Sequence, residues 1–323
     1  MGATKAVRWA ARHGEAGHEC LPGRVECQAA FTEVGTAVWA ANANDALPIP
    51  RRFVVTGRLS LARVERLAAQ LTERDRAIML DLARTRVLTG AHITRLRFAE
   101  LSANTRDRMR RRVLARLISM GFVATLERQI GGAHSGSSGL IYALDSGGQR
   151  ALPFIQAREE IEPQVRARKP WTPGQSFLLH SLDVSELYVQ LIEAERAGQL
   201  ELAEFLAEPA SWFSNGMGGV MKPDAYALIQ AGKAEDSWAI EVDRATESLP
   251  TLRRKLLAYV DFAHAGQEGP HGVTPRVLVT VPHSQRLTAV LRLVRDLPEP
   301  AGRLFVVVPF SAAVRTLVRV LKE

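Results

Sequence analysis

The stretch VMKPDAYALIQAGKAEDSWAIEVD, residues 220–243, decides how the second half of the chain folds. Val220 to Ile229 predicts a strand, Gln230 to Asp236 around Gly232 a turn, and Ser237 to Val242 the returning strand. A turn symmetric about residues 232–233 sets position 224 opposite position 241. Period-two alternation puts Trp238, Ile240 and Val242 on one face and Ala239, Glu241 and Asp243 on the other. Asp224, Glu241 and Asp243 are therefore expected to meet at one end of the hairpin. Like charges so placed repel. A divalent cation relieves that repulsion, and carboxylate oxygens suit Mg²⁺ (or Mn²⁺). Taken singly, each acid has a plainer reading, as a surface group beside the turn or in a salt bridge with Arg244, Arg253 or Arg254.

Working outward, Asp183-Val184-Ser185-Glu186 has the pattern of a capping box and opens a helix to about Ala197, stopped by Gly198. Leu200 to Leu206 alternates as a strand. After the hairpin, Thr246 to about Ala263 is a helix with Leu249, Leu252, Leu256, Leu257 and Val260 inward. Val277 to Val281 and Leu304 to Val308 are continuous apolar runs of the buried parallel kind. Helices from Ser284 to Arg295 and from Ala312 to Leu321 follow these two runs. The order is αβββαβ, then αβα, which makes the fold class α/β.

Residues 153–175 carry Pro153, Pro163, Pro170 and Pro173 and read as a basic linker. Before it, Thr72 and Asp75 form a capping-box pattern, Ile78, Leu82 and Ala83 a helical stripe, and Thr89 opens a short second helix carrying Ile93 and Leu96. Asn104 or Thr105 caps a third helix, on which Met109, Val113, Leu117 and Met120 recur on one face up to Gly121. Phe122 to Leu126 and Leu140 to Leu144 are strands flanking a Gly/Ser-rich loop, and Asp145 to Gly148 is a turn. Three helices and a hairpin in that order predict a winged helix-turn-helix over residues 59–152, with the third helix in the DNA major groove.

Charge supports that reading. The net charge is +8, yet residues 51–150 alone hold 19 Lys+Arg against 8 Asp+Glu. A basic excess confined to one third of the chain suits a polyanion. Arg106, Arg108, Arg110, Arg111, Arg112 and Arg116 crowd one helix with only Asp107 to offset them, and His134 sits in the wing loop. Those seven residues are the candidate DNA contacts; the plainer reading of the arginines is a solvated helix face.

Residues 1–58 show little periodicity and are expected to be a poorly ordered extension. His13, His18, Cys20 and Cys27 fit no paired zinc spacing. No apolar run reaches membrane-spanning length and no secretory signal opens the chain, so no membrane partner and a cytoplasmic protein are expected. Trp171, Trp212 and Trp238 read as core or linker anchors rather than base-stacking platforms, and His180 as either packed or approaching the acidic cleft.

The second half resembles the PD-(D/E)xK nuclease superfamily, a restriction-endonuclease-like αβββαβ fold with an Asp at the second strand and Glu-x-Lys at the third. Pro223-Asp224 and Glu241-Val242-Asp243 match the first parts of that motif. Glu186 stands where many members carry an extra acid. The lysine position is occupied by Asp243, and Lys255 on the following helix is the candidate replacement, with Arg244 a weaker one. Across roughly residues 70–310 the chain resembles the replication-relaxation family of actinobacteria, their plasmids and mobile elements. The resembling stretches are Leu71 to Arg76, Lys222 to Ala225, Glu241 to Ser248, and Lys255-Leu256 with Tyr259. The resemblance implies a double-stranded-DNA-binding protein of plasmid or element replication and relaxation, working with replication or conjugation proteins. Two functions remain open. One is a metal-dependent nuclease or nickase using Asp224, Glu241, Asp243, Lys255 and Glu186. The other is an inactive, DNA-binding replication or transcription regulator. A tyrosine-type relaxase is disfavoured by the lack of a histidine cluster.

Overall fold

A computed structural model describes residues 59–126, 139–159 and 174–322. The extension expected at residues 1–58, and His134 and Trp171, lie outside the described residues. Within them the chain is a mixed α/β protein with ten α-helices, a five-stranded mixed sheet, a three-stranded sheet and a two-stranded ribbon.

The first half opens with α1 (Leu61–Ala69), capped by Ser60, which had no counterpart in the sequence reading. α2 (Glu73–Thr85) starts at the expected Thr72–Asp75 capping box. A short strand, β1 (Val87–Thr89), leads into α3 (Gly90–Arg97), where Thr89 and His92 close a second capping box. α4 (Ala103–Ser119) begins two to three residues earlier than expected, with Ser102 at its N-cap, and ends before Gly121 at φ 70°. β2 (Val123–Leu126) and β3 (Ile141–Leu144) pair antiparallel, Val123 opposite Leu144, and β1 adds to the free edge of β3.

The run read as a turn and the start of a linker is a helix, α5 (Ser146–Arg158), capped by Asp145 and containing Pro153. Its Gly147 and Gly148 lie against backbone: a Cβ there would come within 2.4 Å of the Gly121 carbonyl oxygen and 2.0 Å of that of Phe122. Buried Ala151, Leu152 and Ile155 hold the helix in place, so tertiary packing overrides the two breaker signals, Gly-Gly and Pro.

In the second half the expected strands and helices appear in sequence, except that Val220 and Met221 leave the expected 220–229 strand to form a separate ribbon. α6 (Gln175–Arg196) begins eight residues before Asp183, so Asp183 to Glu186 lie inside the helix and do not cap it. β4 (Glu201–Ala207) follows, then a ribbon of β5 (Phe213–Ser214) and β6 (Val220–Met221). β7 (Ala225–Ala231) and β8 (Ala234–Val242) form the hairpin, joined by Gly232 at φ 63° and Lys233. α7 (Leu249–His264), β9 (Arg276–Val281), α8 (Ser284–Arg295), the short α9 (Ala301–Leu304), β10 (Phe305–Pro309) and α10 (Ala313–Val320) complete the chain.

The large sheet runs β10-β9-β8-β7-β4, with β9 and β10 parallel to β8 and the β4–β7–β8 pairs antiparallel. Alternation along β8 divides the core as expected. Trp238, Ile240 and Val242 join one apolar cluster with Leu187, Tyr188 and Leu317 of α6 and α10. Ala239 joins a second with Leu252, Leu256 and Val290 of α7 and α8. The first cluster continues without a break into Ile78, Leu82, Ile93 and Leu117 of the first half. Burial of this apolar surface is the main favourable contribution to the fold.

Polar contacts reinforce that junction. Asp81, 1% exposed, receives both Arg97 Nε and Nη2 at 2.6 Å and Tyr188 Oη at 2.9 Å. A buried carboxylate is tolerable only with such partners.

Candidate functional site

The hairpin register sets the site. Ala231 pairs with Ala234 and Ala225 with Ile240, so one step further brings position 224 opposite 241, as the sequence predicts. Pro223 has no backbone N–H to extend the pairing, and the strand gives way to Lys222-Pro223-Asp224 just before β7. Asp224 then folds across the end of the hairpin, where the Val242 N–H donates to its Oδ2 at 2.7 Å. Glu241 points to the α7 side of the sheet and is 1% exposed. Tyr259 Oη donates to Glu241 Oε1 at 2.5 Å.

Lys255, one turn before Tyr259 on α7, extends its ammonium between the two acids. It contacts Glu241 Oε2 and lies 3.5 Å from Asp224 Oδ1. On the opposite side His180 of α6 approaches Asp224 Oδ1 with Nε2 at 3.4 Å. One acid from each hairpin strand, a lysine from the helix behind and a histidine from the helix in front thus meet at one point.

Their electrostatics diverge. Burial pushes the Asp224 carboxyl up, but the Lys255 ammonium, the His180 ring and the Val242 N–H outweigh it and hold Asp224 down at about 2. Burial pushes Glu241 up to about 8, against the pull of Lys255 and with the help of the Asp224 charge. Burial would lower Lys255, yet the two carboxylates raise it overall, so it stays an ammonium. Burial lowers His180, but its hydrogen bond to Asp224 together with the charges of Asp224 and Glu208 outweighs this, for a net rise. Two neighbouring acids with widely separated proton affinities are what acid–base or metal chemistry draws on.

Two of the expected members are not brought to this point. Asp243 shares the strand face with Glu241 only by extrapolation, because β8 ends at Val242. Its carboxylate turns to Arg286, with Nε at 2.5 Å, and accepts the Ala245 N–H at 2.8 Å. That bond holds a turn in which Ala245 takes φ 58°, so Asp243 shapes the loop. Glu186 faces the first half, paired with Arg95 at 2.6 Å and His92 at 3.2 Å. Burial raises it, but the hydrogen bonds from His92, Arg95 and Gln190 pull Glu186 down to about 2. Arg244 is also turned away, onto Asp183. Among the described residues no three His, Cys, Asp or Glu side chains form a ready-made metal cluster.

Of the two readings of His180, packed or approaching the cleft, the structure shows the second. Helical spacing places it about two turns before Glu186, and the early start of α6 carries it to the hairpin end. Trp238 is buried core, as expected. Trp212 is 40% exposed, which corrects its reading as an anchor.

The arginines of α4 divide into two sets. Arg106 donates to the carbonyls of Ala99 and Leu101, Arg110 to Thr94 Oγ1 at 3.1 Å, and Arg116 to the fully buried Asp75. These three brace α4 against the preceding turn, α3 and α2. Arg108 and Arg112 make no ion pair or hydrogen bond among the described residues, and Arg111 bonds only the Asp107 carbonyl of its own helix. Arg116 is itself partly exposed, so the exposed cations of α4 with no partner beyond their own helix among the described residues are Arg108, Arg111 and Arg112.

Fold and site together define a mixed α/β protein with an Asp–Lys–Glu centre at a strand hairpin, joined to a helical half bearing a row of exposed arginines. A model of the replication-relaxation family matches residues 79–277, more than half of the chain, and the chain belongs to that family. Membership points to a role in the replication or relaxation of mobile elements, with DNA or the replication machinery involved. No curated protein and no solved structure matches the chain. No described helix is long and apolar enough to cross a membrane.

Proposed function

We propose that this protein binds double-stranded DNA through a winged-helix module in its first half and cuts or nicks it at a PD-(D/E)xK-like site in its second. The order α2–β1–α3–α4–β2–β3 around a three-stranded antiparallel sheet supports the winged helix. The order α6–β4–β7–β8–α7–β9 supports the nuclease-like half. One observation carries the catalytic reading: Asp224, Glu241 and Lys255 converge although the motif's usual lysine position holds Asp243.

The donor set fits Mg²⁺, which commonly takes one or two carboxylates and completes its shell with water and substrate phosphate. Asp224 and Glu241 would hold the ion. When bound it would supply an activated water and offset charge on the phosphate. The chain's own groups do the rest. Lys255 offsets charge on the attacked phosphodiester, Tyr259 orients Glu241, and His180 and the Val242 N–H orient Asp224. Arg108, Arg111 and Arg112 bring the duplex in by its phosphates.

The second reading is an inactive nuclease-like half in a DNA-binding regulator. The observation favouring it is that the Lys255 ammonium already lies against both carboxyl groups, where a metal ion would have to bind. Cleavage of supercoiled plasmid with Mg²⁺ or Mn²⁺, by the wild type and by Asp224→Ala and Glu241→Ala, separates the two. Metal-dependent nicking by the wild type and its loss in both variants is expected. Persistence of nicking in both would show the site is elsewhere. Failure of the wild type on supercoiled, linear and single-stranded DNA would favour the second reading.

A further inference from the structure

Of the large hydrophobic side chains exposed among the described residues, three fall within residues 212–220: Trp212 at 40%, Met217 at 63% and Val220 at 53%. They lie on or beside the β5–β6 ribbon. Phe213 pairs with Met221 and Ser214 with Val220. The next pair outward is Trp212 with Lys222, and the lysine Nζ lies 4.8 Å from the indole centroid. Alternation splits this ribbon into two faces. Met221 is buried at 5% and Phe213 packs edge-on against Phe262, which fixes the inner face. Trp212, Val220 and Lys222 are left on the outer one.

The ribbon is rigid at both ends. At the tip the Asn215 carboxamide oxygen accepts the N–H of Met217 at 3.0 Å and of Gly219 at 2.7 Å. Gly216 and Gly218 take φ 73° and 82°, where other residues are strained. At the base, buried Ser211 donates to the Pro223 carbonyl at 2.7 Å, tying the ribbon to the residue before Asp224. An aromatic face and an ammonium therefore sit side by side on a ribbon whose second strand runs, two residues after Lys222, into Asp224.

We infer that this outer face binds an unpaired DNA strand next to that centre, with a base stacked on Trp212 and a flanking phosphate on Lys222. The choice of occupant follows from chemistry. A base offers a π face to the indole, and its phosphate an anion to the ammonium that the neutral indole alone does not neutralise, whereas a purely apolar partner would cover that charge with no anion beside it. Placement beside a phosphodiester-directed site gives such a strand a reason to be held there. The inference rests on the proposed function for its purpose, but the binding it describes does not depend on cleavage.

The test uses the full chain with EDTA present, a fluorescein-labelled oligothymidine and a labelled duplex. Trp212→Leu keeps apolar bulk and removes the π face. It should weaken oligothymidine binding about 5- to 100-fold while leaving duplex affinity within about twofold. Trp212→Phe should restore most of the loss, and Lys222→Met should lower the salt dependence for oligothymidine. Circular dichroism confirms that each variant is folded. Unchanged oligothymidine affinity in folded Trp212→Leu would overturn the inference. So would a change of oligomeric state in place of a change in DNA binding, because the face would then contact protein. Should the wild type prove inactive as a nuclease, these binding results still decide the inference by themselves.

Discussion

Helix α4 and the β7–β8 hairpin both concentrate like charge, and the molecule treats them in opposite ways. On α4 half of the arginines are spent on structure, bonding backbone carbonyls, Thr94 or the buried Asp75, and the rest stay in water. At the hairpin both acids are withdrawn from solvent and share one lysine. Exposed charges repel weakly because water and salt screen them. Buried charges must be matched or neutralised. The first arrangement suits a loose, exchangeable polyanion contact, and the second suits chemistry at a fixed point.

The sharpest way to break this contrast is at the hairpin. Asp224→Ala or Glu241→Ala should lower metal-dependent plasmid nicking by on the order of 100-fold or more, with duplex binding in EDTA unchanged. A parallel loss of duplex affinity would mean the two regions are not functionally separable.

Next in size is Arg97→Ala, which leaves Asp81 buried without its guanidinium. Unfolding in urea should show a loss of about 3–5 kcal/mol. A loss below about 1 kcal/mol would mean that Tyr188 alone suffices for Asp81.

The pH dependence of stability tests the hairpin in another way. Glu241 goes from an ordinary value of 4.5 to about 8 in the folded protein. The folded state thus binds the proton more tightly, so this group stabilises fully below 4.5 and its contribution fades as pH rises through about 8. Asp224, lowered to about 2, stabilises above its ordinary 3.8 and loses that contribution as pH falls toward 2. Glu241→Gln should therefore remove the decline in stability between about pH 5 and 8, measured by urea unfolding at several pH values. An unaltered slope would show that Glu241 does not hold the extra proton.

The smallest effects separate the two sets of α4 arginines. Arg108→Ala with Arg111→Ala should lower duplex affinity about tenfold and reduce the salt slope by about 2, with stability changed by less than about 0.5 kcal/mol. Arg116→Ala should instead cost about 1–2 kcal/mol of stability by leaving buried Asp75 with only its Thr72 capping bonds. A reversal, with Arg116 controlling salt dependence and Arg108 stability, would exchange their assigned roles.

Much of this was legible in the sequence because it rests on short-range rules. The Thr72 and Thr89 caps, the α4 stripe and the alternation along β8 are each set by residues a few positions apart. The meeting of Asp224 and Glu241 follows from a turn centred on residues 232–233, and Lys255, singled out on the following helix, does reach both acids. What was misread depends on distant packing. The Gly-Gly and Pro signals of α5 suggest breaks until the Gly121–Phe122 backbone is seen pressed against the glycines. Asp183 to Glu186 looks like a cap because nothing local reveals that α6 starts at Gln175.

By itself, then, the sequence determined the principal helices and strands of both halves, the hairpin register and the crowding of positive charge on one helix, since periodicity, turn position and composition act along the chain. The tertiary structure alone decided which charges are used. It turned Asp243 to Arg286 and Glu186 to Arg95, brought His180 to Asp224, and left Arg108, Arg111 and Arg112 in water. A charged side chain takes its role from the partners and the solvent around it, and those are set only once distant segments have packed together.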